Sequence, residues 1–124
     1  RHPQEDVLTE MHAEFESIMA RRGEQFNIHT QIRQEWHSPA VAFNDSCVAS
    51  VQQAVETLSY SHMAMFSGAG HDAVYVSRVA PTSMIFIPCK DGISHNEAED
   101  AKPADVTAGA NVLLHAMLQQ AQSA

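Results

Sequence analysis

Two short loops of this chain hold the side chains whose types and spacing could do chemistry. The first reads SGAGHDA at residues 67–73, and the second reads KDGISHNEAE at residues 90–99. Each loop closely follows a short apolar run that is typical of a buried strand. Ligands in open α/β sheets bind beyond the carboxyl ends of the strands, which is where both loops would lie. The two loops, with His71 and His95 in them, are therefore the first places to look for a functional site.

The second loop could bind a metal ion. Asp91-Gly92 forms a turn, and His95 follows it at the carboxyl end of a predicted strand. Neutral imidazole is a good ligand for borderline cations, and a neighbouring group can fix its tautomer. A catalytic zinc site needs at least three protein ligands, however, and the chain has no HExxH motif or other ligand group at a recognised spacing. The residues alone therefore leave a metal ligand and a plain surface turn both open.

The first loop could bind an anion. Glycines at 68 and 70 permit backbone conformations and close approaches that larger residues do not, and the helix predicted at 73–79 would offer unpaired N–H groups at its start. A plain strand–turn–helix in which Asp72 only caps the helix explains the same residues equally well. Ser-His-Asp hydrolysis has no support, because the chain lacks a G-x-S-x-G motif.

The elements that would position these loops divide the chain near residue 37. In the front part, an acidic first turn after Pro3 begins a helix, and Arg21-Arg22-Gly23 ends it. Strict alternation then predicts a half-buried strand over residues 26–36, in an antiparallel sheet with helices on one side. The apolar residues predicted to face inwards are Val7, Met11, Phe15 and Ile18 on the helix and Phe26, Ile28, Ile32 and Trp36 on the strand.

The rear part, residues 38–124, has the pattern of an α/β fold. Asn44 or Asp45 can cap a second helix, and the apolar runs 63–66 and 84–87 predict two buried strands of a parallel sheet. The predicted buried stripes are Val48, Val51, Val55 and Leu58 on the second helix and, on a last helix capped by Asp105, Val106, Leu113, Leu114, Met117 and Leu118.

Composition limits the classes of protein to which the chain can belong. Its 124 residues are one domain's worth of chain, with 44% hydrophobic and 18% charged residues, as in ordinary soluble proteins. A net charge of −8 argues against a nucleic-acid or anionic-membrane surface, and no apolar run approaches the roughly 20 residues of a membrane span. Cys47 and Cys89 form no CxxC motif. Free thiols in a reducing cytoplasm are the simplest interpretation, and a Cys89 nucleophile has little local support.

Three segments resemble one known family. SGAGHDA at 67–73, APTSMIFIPCKDGISHNEAE at 80–99 and DVTAGANVLL at 105–114 are similar to the carboxyl-terminal part of the hydantoinase/carbamoylase amidohydrolases. The opening Arg1-His2-Pro3 resembles the D-I-R-H-P segment of the smaller lid domain of that family. Members include N-carbamoyl-L-amino-acid hydrolase, allantoate amidohydrolase and β-ureidopropionase, within the larger clan of dinuclear metallo-aminoacylases and metallopeptidases.

The resemblance implies a fold in two parts. Residues 1–37 would be the helix and strand that end an α+β lid and dimerisation domain. Residues 38–124 would be the carboxyl-terminal part of a mixed-sheet α/β metallohydrolase catalytic domain. The lid interrupts the catalytic domain in this family, which agrees with the change of sequence pattern near residue 37.

The resemblance also implies roles for individual residues. His95 matches the last ligand of the dinuclear metal site. His71 matches a histidine that binds the scissile carbonyl and stabilises the tetrahedral oxyanion. Gly70 matches a position whose backbone meets the substrate carboxylate, and Arg1 matches the lid arginine that pairs with that carboxylate through its planar guanidinium. The resemblance assigns at most a supporting role to the remaining polar residues of the second loop, Asn96, Glu97 and Glu99.

The implied function is metal-dependent hydrolysis of the C–N bond of N-carbamoyl amino acids or related ureido and amide substrates. Two divalent ions (zinc, manganese, cobalt or nickel) would bridge a water and lower its pKa. The other ligands and the general base would lie upstream of Arg1, so this chain alone is expected to be inactive, with at most one weak metal site. We expect a cytoplasmic enzyme that is a homodimer when full length. An aminoacylase or dipeptidase of the same clan, and a non-catalytic binding or dimerisation module, are the alternatives.

Overall fold

The structure, a computed structural model, describes residues 2–123 of the chain, and the regular elements in this range are all helical. They are α1 at Glu5–Phe26, α2 at Asp45–Thr57, α3 at Asp72–Val76 and α4 at Pro103–Ser123, with a single 3₁₀ turn at Lys90–Gly92. None of the described helices combines the length and apolarity that crossing a membrane would need.

The described residues form two compact units. One comprises the chain up to Ala42 together with Phe66–Ala69, and the other comprises Phe43–Met65 and the chain from Gly70 onwards. The first unit contains α1, and the second contains the other three helices and both candidate histidines.

Helix α1 begins as predicted but ends later than predicted. Glu5 and Asp6 lie in its first turn, where a negative charge favours the positive end of the helix dipole. The helix continues through the predicted stop at Gly23, and Asn27 in the left-handed conformation, with φ 51°, ends it. Gly23 is needed for another reason. The chain turns back over it, and a Cβ at Gly23 would lie 2.9 Å from the Ile28 carbonyl oxygen.

The predicted strand over residues 26–36 is not confirmed. Phe26 is the last residue of α1, and residues 27–36 are not paired as a strand within the described part of the chain. The side chains of Ile28 and Trp36 are 59% and 71% exposed. Alternation predicts which face of a strand would be buried, but a strand forms only where a neighbour exchanges backbone hydrogen bonds with it.

The side chain of Glu5 ties the segment after α1 to the start of the helix. Its Oε2 accepts a hydrogen bond from the Ala40 backbone N–H at 2.8 Å, and its Oε1 lies 2.8 Å from His37 Nε2. The Ala40 N–H, and after it the hydrogen bond and charge of His37, lower the pKa of Glu5. A lowered pKa means that the contact stabilises the fold above the ordinary pKa of a glutamate and is lost as the pH falls through the folded value.

The second unit is built on α2 packed against α4. Asn44 caps α2, as one of the two predicted alternatives, because its Oδ1 accepts hydrogen bonds from the backbone N–H groups of Ser46 and Cys47, both at 3.1 Å. Such a cap contributes about 1 kcal/mol. The core between the helices consists of Ala54, Val55, Val112 and Ala116, with Val51 and Leu58 of the predicted α2 stripe partly buried against it.

Helix α4 buries a different face from the predicted one. Val112 and Ala116 are 3% and 7% exposed. Small residues line this face because α4 approaches its neighbours closely: a Cβ at Gly109 would lie only 2.6 Å from Ile87 Cγ2. The prediction is wrong because it follows the size of the apolar side chains, whereas close packing favours small ones here. Each residue of the predicted stripe is about half exposed, namely Val106, Leu113, Leu114, Met117 and Leu118.

Hydrogen bonds between α2 and α4 add to this apolar core. Gln120 Nε2 donates to Ser50 Oγ at 2.6 Å, and Ser50 Oγ donates to the Ser46 carbonyl at 3.0 Å. Ser50 is 6% exposed, and a buried hydroxyl without partners would cost free energy. Asn111 Nδ2 also donates to the Tyr60 hydroxyl at 3.2 Å, which holds the segment after α2 against α4.

The two apolar runs that predict parallel strands also lack strand pairing among residues 2–123. They differ in burial. Met63 is 79% exposed, whereas Ile85 packs on the core between α2 and α4 and Ile87 lies against Gly109. The predicted sheet is therefore not confirmed, because a sheet requires adjacent strands that exchange backbone hydrogen bonds.

Candidate functional site

The first candidate loop leads into α3, which is shorter than the predicted helix. It covers Asp72–Val76, and the Val74 N–H donates to the His71 carbonyl at 3.0 Å. His71, and not Asp72, occupies the N-cap position. A helix of five residues has a small dipole, so the anion site predicted at its start gains little from the helix itself.

Gly70 lies directly before His71 and leaves space rather than making a strained turn. A Cβ at Gly70 would meet no heavy atom of the described chain within 4 Å. Its φ is not in the left-handed region, unlike that of Gly92 at 69°. The backbone conformation at Gly70 therefore does not require glycine. The absence of a side chain there keeps this side of the loop open.

The second candidate loop is closed at its base by one backbone hydrogen bond. The Lys90 N–H donates to the Asp100 carbonyl at 2.7 Å. Above this base the chain makes the predicted turn: Asp91 and Gly92 have φ values of 55° and 69°, and the Gly92 N–H donates to the Cys89 carbonyl at 3.1 Å. Glycine is suited to position 92 because a residue with a side chain would be strained in this conformation.

His95 lies midway along this loop, between Lys90 and Asp100, in an unusual backbone conformation. Its φ is 55°, in the left-handed region that few residues other than glycine adopt. The Glu99 side chain accepts a hydrogen bond from the His95 backbone N–H at 2.7 Å. The Glu99 N–H in turn donates to the Asn96 carbonyl at 2.9 Å. The position of the His95 imidazole therefore depends on a local network of backbone contacts.

The structure brings the two histidines of the two loops together. The centroids of the His71 and His95 rings are 5.9 Å apart, with an angle of 38° between the ring planes. Phe86 makes an edge contact with His71, with centroids 5.3 Å apart. Gly70, His71 and His95 all line one cavity of about 440 Å³, together with Asp72 and Tyr75. Their proximity was expected from the sequence, while the chemical role of each stays a prediction.

Three residues of this site were not predicted from the sequence: Phe86, Asp72 as part of the cavity wall, and Tyr75. Tyr75 lies four positions after His71, so helical periodicity could have placed it on the same side of α3. The Arg78 guanidinium carbon lies 5.0 Å from the centre of the Tyr75 ring, a distance at which a cation and a ring attract. No sequence signal indicated that Phe86 would contact His71, because that contact joins two separate segments.

The described residues fit one ligand of a metal site and do not form a complete one. The His95 imidazole lies at an open cavity and is a chemically suitable donor for a borderline divalent ion. Within residues 2–123 no group of three or more His, Cys, Asp or Glu side chains is arranged to hold an ion. The predicted carboxylate-binding Arg1 lies outside the described residues.

Cys89 lies beside Glu99 at the base of the second loop. Its Sγ is 3.8 Å from Glu99 Oε1. Partial burial, followed by the charge of Glu99 and the hydrogen bond to it, raises the pKa of the Cys89 thiol. A raised pKa keeps the thiol protonated near neutral pH, and the thiolate is the reactive form. The structure therefore gives no support to Cys89 as a nucleophile.

Comparison with known proteins shows which family this chain resembles. Residues 3–119 match peptidase family M20/M25/M40. An N-carbamoyl-L-amino-acid amidohydrolase of Rhizobium meliloti is 43% identical over 122 residues, which are 98% of this chain and 29% of that protein. An allantoate amidohydrolase of Escherichia coli is 33% identical over 121 residues, again 98% of this chain and 29% of that protein.

A solved structure shows the same fold. A hydantoinase/carbamoylase family amidase from Burkholderia multivorans superposes with a TM-score of 0.94 at 50% sequence identity, over 96% of this chain and 29% of that chain. The chain thus spans 29% of the length of each of these three relatives.

We expect Cys89 to react slowly with iodoacetamide near neutral pH. In a Cys47→Ser variant, where Cys89 is the only thiol, the midpoint of the alkylation rate against pH should lie above that of a free cysteine peptide. Glu99→Gln should lower this midpoint, because it removes the neighbouring negative charge. Mass spectrometry of quenched samples measures the rates. A midpoint below that of the peptide would contradict the raised pKa.

Proposed function

The chain belongs to peptidase family M20/M25/M40, and we propose that it forms part of a metal-dependent amidohydrolase acting on N-carbamoyl amino acids or related ureido substrates. The names of two relatives, an N-carbamoyl-L-amino-acid amidohydrolase and an allantoate amidohydrolase, support this substrate class. The observation that carries the proposal is the pair of imidazoles, His71 and His95, at one open cavity.

His71 would bind the carbonyl oxygen of the bond to be broken. The two ring centroids are 5.9 Å apart, and both residues line one cavity of about 440 Å³ that a carbonyl group would enter. As the carbonyl carbon becomes tetrahedral, negative charge collects on its oxygen, and a donor already in place stabilises that charge. Phe86 makes an edge contact with the His71 ring, with centroids 5.3 Å apart, and would limit the rotation of that ring.

His95 would be one ligand of a divalent metal ion. Such an ion, when bound, activates water and polarises a carbonyl as a Lewis acid. The residues of this chain would hold the ion and orient the substrate. The second loop carries the His95 ring, and Gly70 leaves the cavity open beside His71. Gly70 would offer its backbone to the substrate carboxylate, and Arg1 would pair with the same group.

We further propose that residues 1–37 end a lid and dimerisation domain and that residues 38–124 belong to the catalytic domain. The chain alone would be inactive, because the resemblance assigns the other metal ligands and the general base to a preceding part of the protein. The complete protein would bind two divalent metal ions, which would be zinc, manganese, cobalt or nickel. Two free thiols, Cys47 and Cys89, suit a reducing compartment such as the cytoplasm.

A second candidate is a peptidase or aminoacylase with the same site, because the matching family is named for peptidases. The two activities differ in the group bonded to the substrate nitrogen. Comparing kcat/KM of the complete protein for N-carbamoyl, N-acetyl and aminoacyl derivatives of one L-amino acid would separate them. A higher kcat/KM for the N-acetyl or the aminoacyl derivative (a dipeptide) than for the N-carbamoyl derivative would favour the second candidate over the first.

His95→Ala in the complete protein should remove one metal ion per chain, because one imidazole ligand is lost. Calorimetric titration of the metal-free protein with Zn²⁺ measures the stoichiometry. His115→Ala is the matched control, since His115 lies on α4 outside the site and should leave the stoichiometry unchanged. Full metal occupancy together with normal turnover in His95→Ala would refute the assignment.

His71→Ala should lower kcat by roughly 10²-fold or more, the scale of removing one oxyanion donor. KM should change much less, because the donor acts mainly in the transition state. Steady-state kinetics on N-carbamoyl amino acids measures both constants. His71→Gln, which keeps an N–H donor, should recover part of the rate. A His71→Ala rate within a factor of two of the parent would count against this role.

The complete protein should be a homodimer, since α1 presents an apolar stripe that the first unit leaves exposed. Met11, Phe15 and Ile18 on this helix are 48%, 50% and 37% exposed. Phe15→Glu should shift the protein towards monomer, because a charge would then lie on the apolar contact. Sedimentation equilibrium at micromolar concentration measures this, and a monomeric parent protein would contradict the proposal.

A further inference from the structure

We propose that Glu99 is the positioning residue that holds His95 at the rim of the cavity. This inference rests on the proposed function, in which His95 binds a metal ion. Glu99 itself does not line the cavity, whose walls are Gly70, His71, Asp72, Tyr75 and His95. It acts on the site through the backbone of His95 and not through contact with substrate or ion.

The conformation of His95 is one that requires outside support. Its φ of 55° is left-handed, where the side chain of a residue other than glycine crowds the backbone. Left to local preference, the residue would relax to a negative φ. That relaxation would rotate the Cα–Cβ bond and carry the imidazole away from its present place 5.9 Å from the His71 ring.

Glu99 supplies that support with its carboxylate. Glu99 Oε2 accepts a hydrogen bond from the His95 backbone N–H at 2.7 Å. A hydrogen bond to an ionised carboxylate is shorter and stronger than one between neutral groups. The bond fixes the peptide between Ser94 and His95, and the orientation of this peptide sets φ at His95. One side chain therefore controls the torsion on which the position of the imidazole depends.

The other contacts of Glu99 connect the tip of the loop to its base. Its Oε1 lies 3.8 Å from Cys89 Sγ, and its neighbour Asp100 accepts the Lys90 N–H at 2.7 Å. Its own N–H donates to the Asn96 carbonyl at 2.9 Å. Glu99 thus joins the closed base of the loop to the turn that carries His95, so His95 cannot shift relative to the base without breaking these contacts.

The structure separates Glu99 from Glu97, the other glutamate of the loop. Glu97 makes no hydrogen bond or ion pair that involves its side chain within the described part of the chain, while Glu99 uses both carboxylate oxygens. The two residues carry the same charge and lie two positions apart. Glu97→Ala is therefore a matched control, because it removes one negative charge from the same loop without removing the contact to His95.

The first experiment measures Zn²⁺ binding to the complete protein by calorimetry. Glu99→Ala should weaken the ion held by His95 about 10–100-fold, the scale on which groups behind a metal ligand act. Glu99→Gln keeps an oxygen acceptor of the same length and should recover most of this loss. Glu99→Asp keeps the charge but shortens the side chain, so it should bind Zn²⁺ more weakly than Glu99→Gln. Glu97→Ala should stay within about twofold of the parent.

The second experiment is made on the metal-free protein, so it does not depend on activity. The ¹H–¹⁵N signal of the His95 backbone amide should move upfield in Glu99→Ala and stay near the parent position in Glu99→Gln and Glu97→Ala. If Glu99→Ala does not fold, as judged by circular dichroism, Glu99→Asp takes its place in both experiments.

The outcomes distinguish this inference from the proposed function. If His95→Ala loses an ion but Glu99→Ala and Glu99→Asp bind Zn²⁺ like the parent, the positioning role is overturned and the proposed function stands. If Glu97→Ala weakens binding as much as Glu99→Ala, the effect is one of charge and the positioning role is again overturned. If His95→Ala binds every ion normally, the proposed function fails, and this inference fails with it.

Discussion

The close packing of Ile85 and Ile87 against the α2–α4 pair is the constraint on which the candidate site depends. Ile85 joins the core between α2 and α4, and Ile87 lies where a Cβ at Gly109 would be only 2.6 Å away. In an extended segment alternate side chains point in opposite directions. Phe86 therefore faces away from the core and meets the His71 ring. A larger residue at 109 would push this segment outward and move Phe86 with it.

The rest of the site is positioned largely by backbone geometry. The second loop starts where the packed segment ends, is closed by the Lys90–Asp100 hydrogen bond, and turns through left-handed conformations at Asp91 and Gly92. His95 repeats that conformation midway along the loop. Loops that carry functional groups on a rigid support are the usual arrangement in enzymes. Here the α2–α4 pair is the support, and the loop carries the His95 imidazole on a residue held at a strained torsion.

Membership of the peptidase family gives these contacts a context, since the chain spans 29% of the length of its carbamoylase relatives. The large apolar residues on the outer face of α4 are about half exposed, and Met63 is 79% exposed. The sequence pattern predicts that these same large residues are buried. The chain therefore has more large apolar residues in its predicted buried positions than the core of its described residues contains.

Local signals in the sequence determined much of what the structure contains. The cap of α2 at Asn44 or Asp45, the acidic start of α1 and the turn at Asp91-Gly92 depend on groups only a few residues apart. Residue types and spacing were therefore enough to predict the start and the turn and to narrow the cap to two residues. The two motif-bearing loops were also recognisable, because the resemblance rests on contiguous residues. The proximity of His71 and His95 followed from the expectation that both loops lie at one edge of a fold.

Only the tertiary structure decided the features that join distant segments. The prediction of the buried face of α4 was wrong. Close contact with Ile87 selects Gly109, and Val112 and Ala116, not the larger apolar residues, lie in the core. The predicted strands were not confirmed, because alternation specifies a face but not a partner. Glu99 could not be told from Glu97 by type, charge or spacing. The fold of the loop decides which carboxylate reaches the His95 N–H, since a hydrogen bond depends on distance and angle that residue order does not contain.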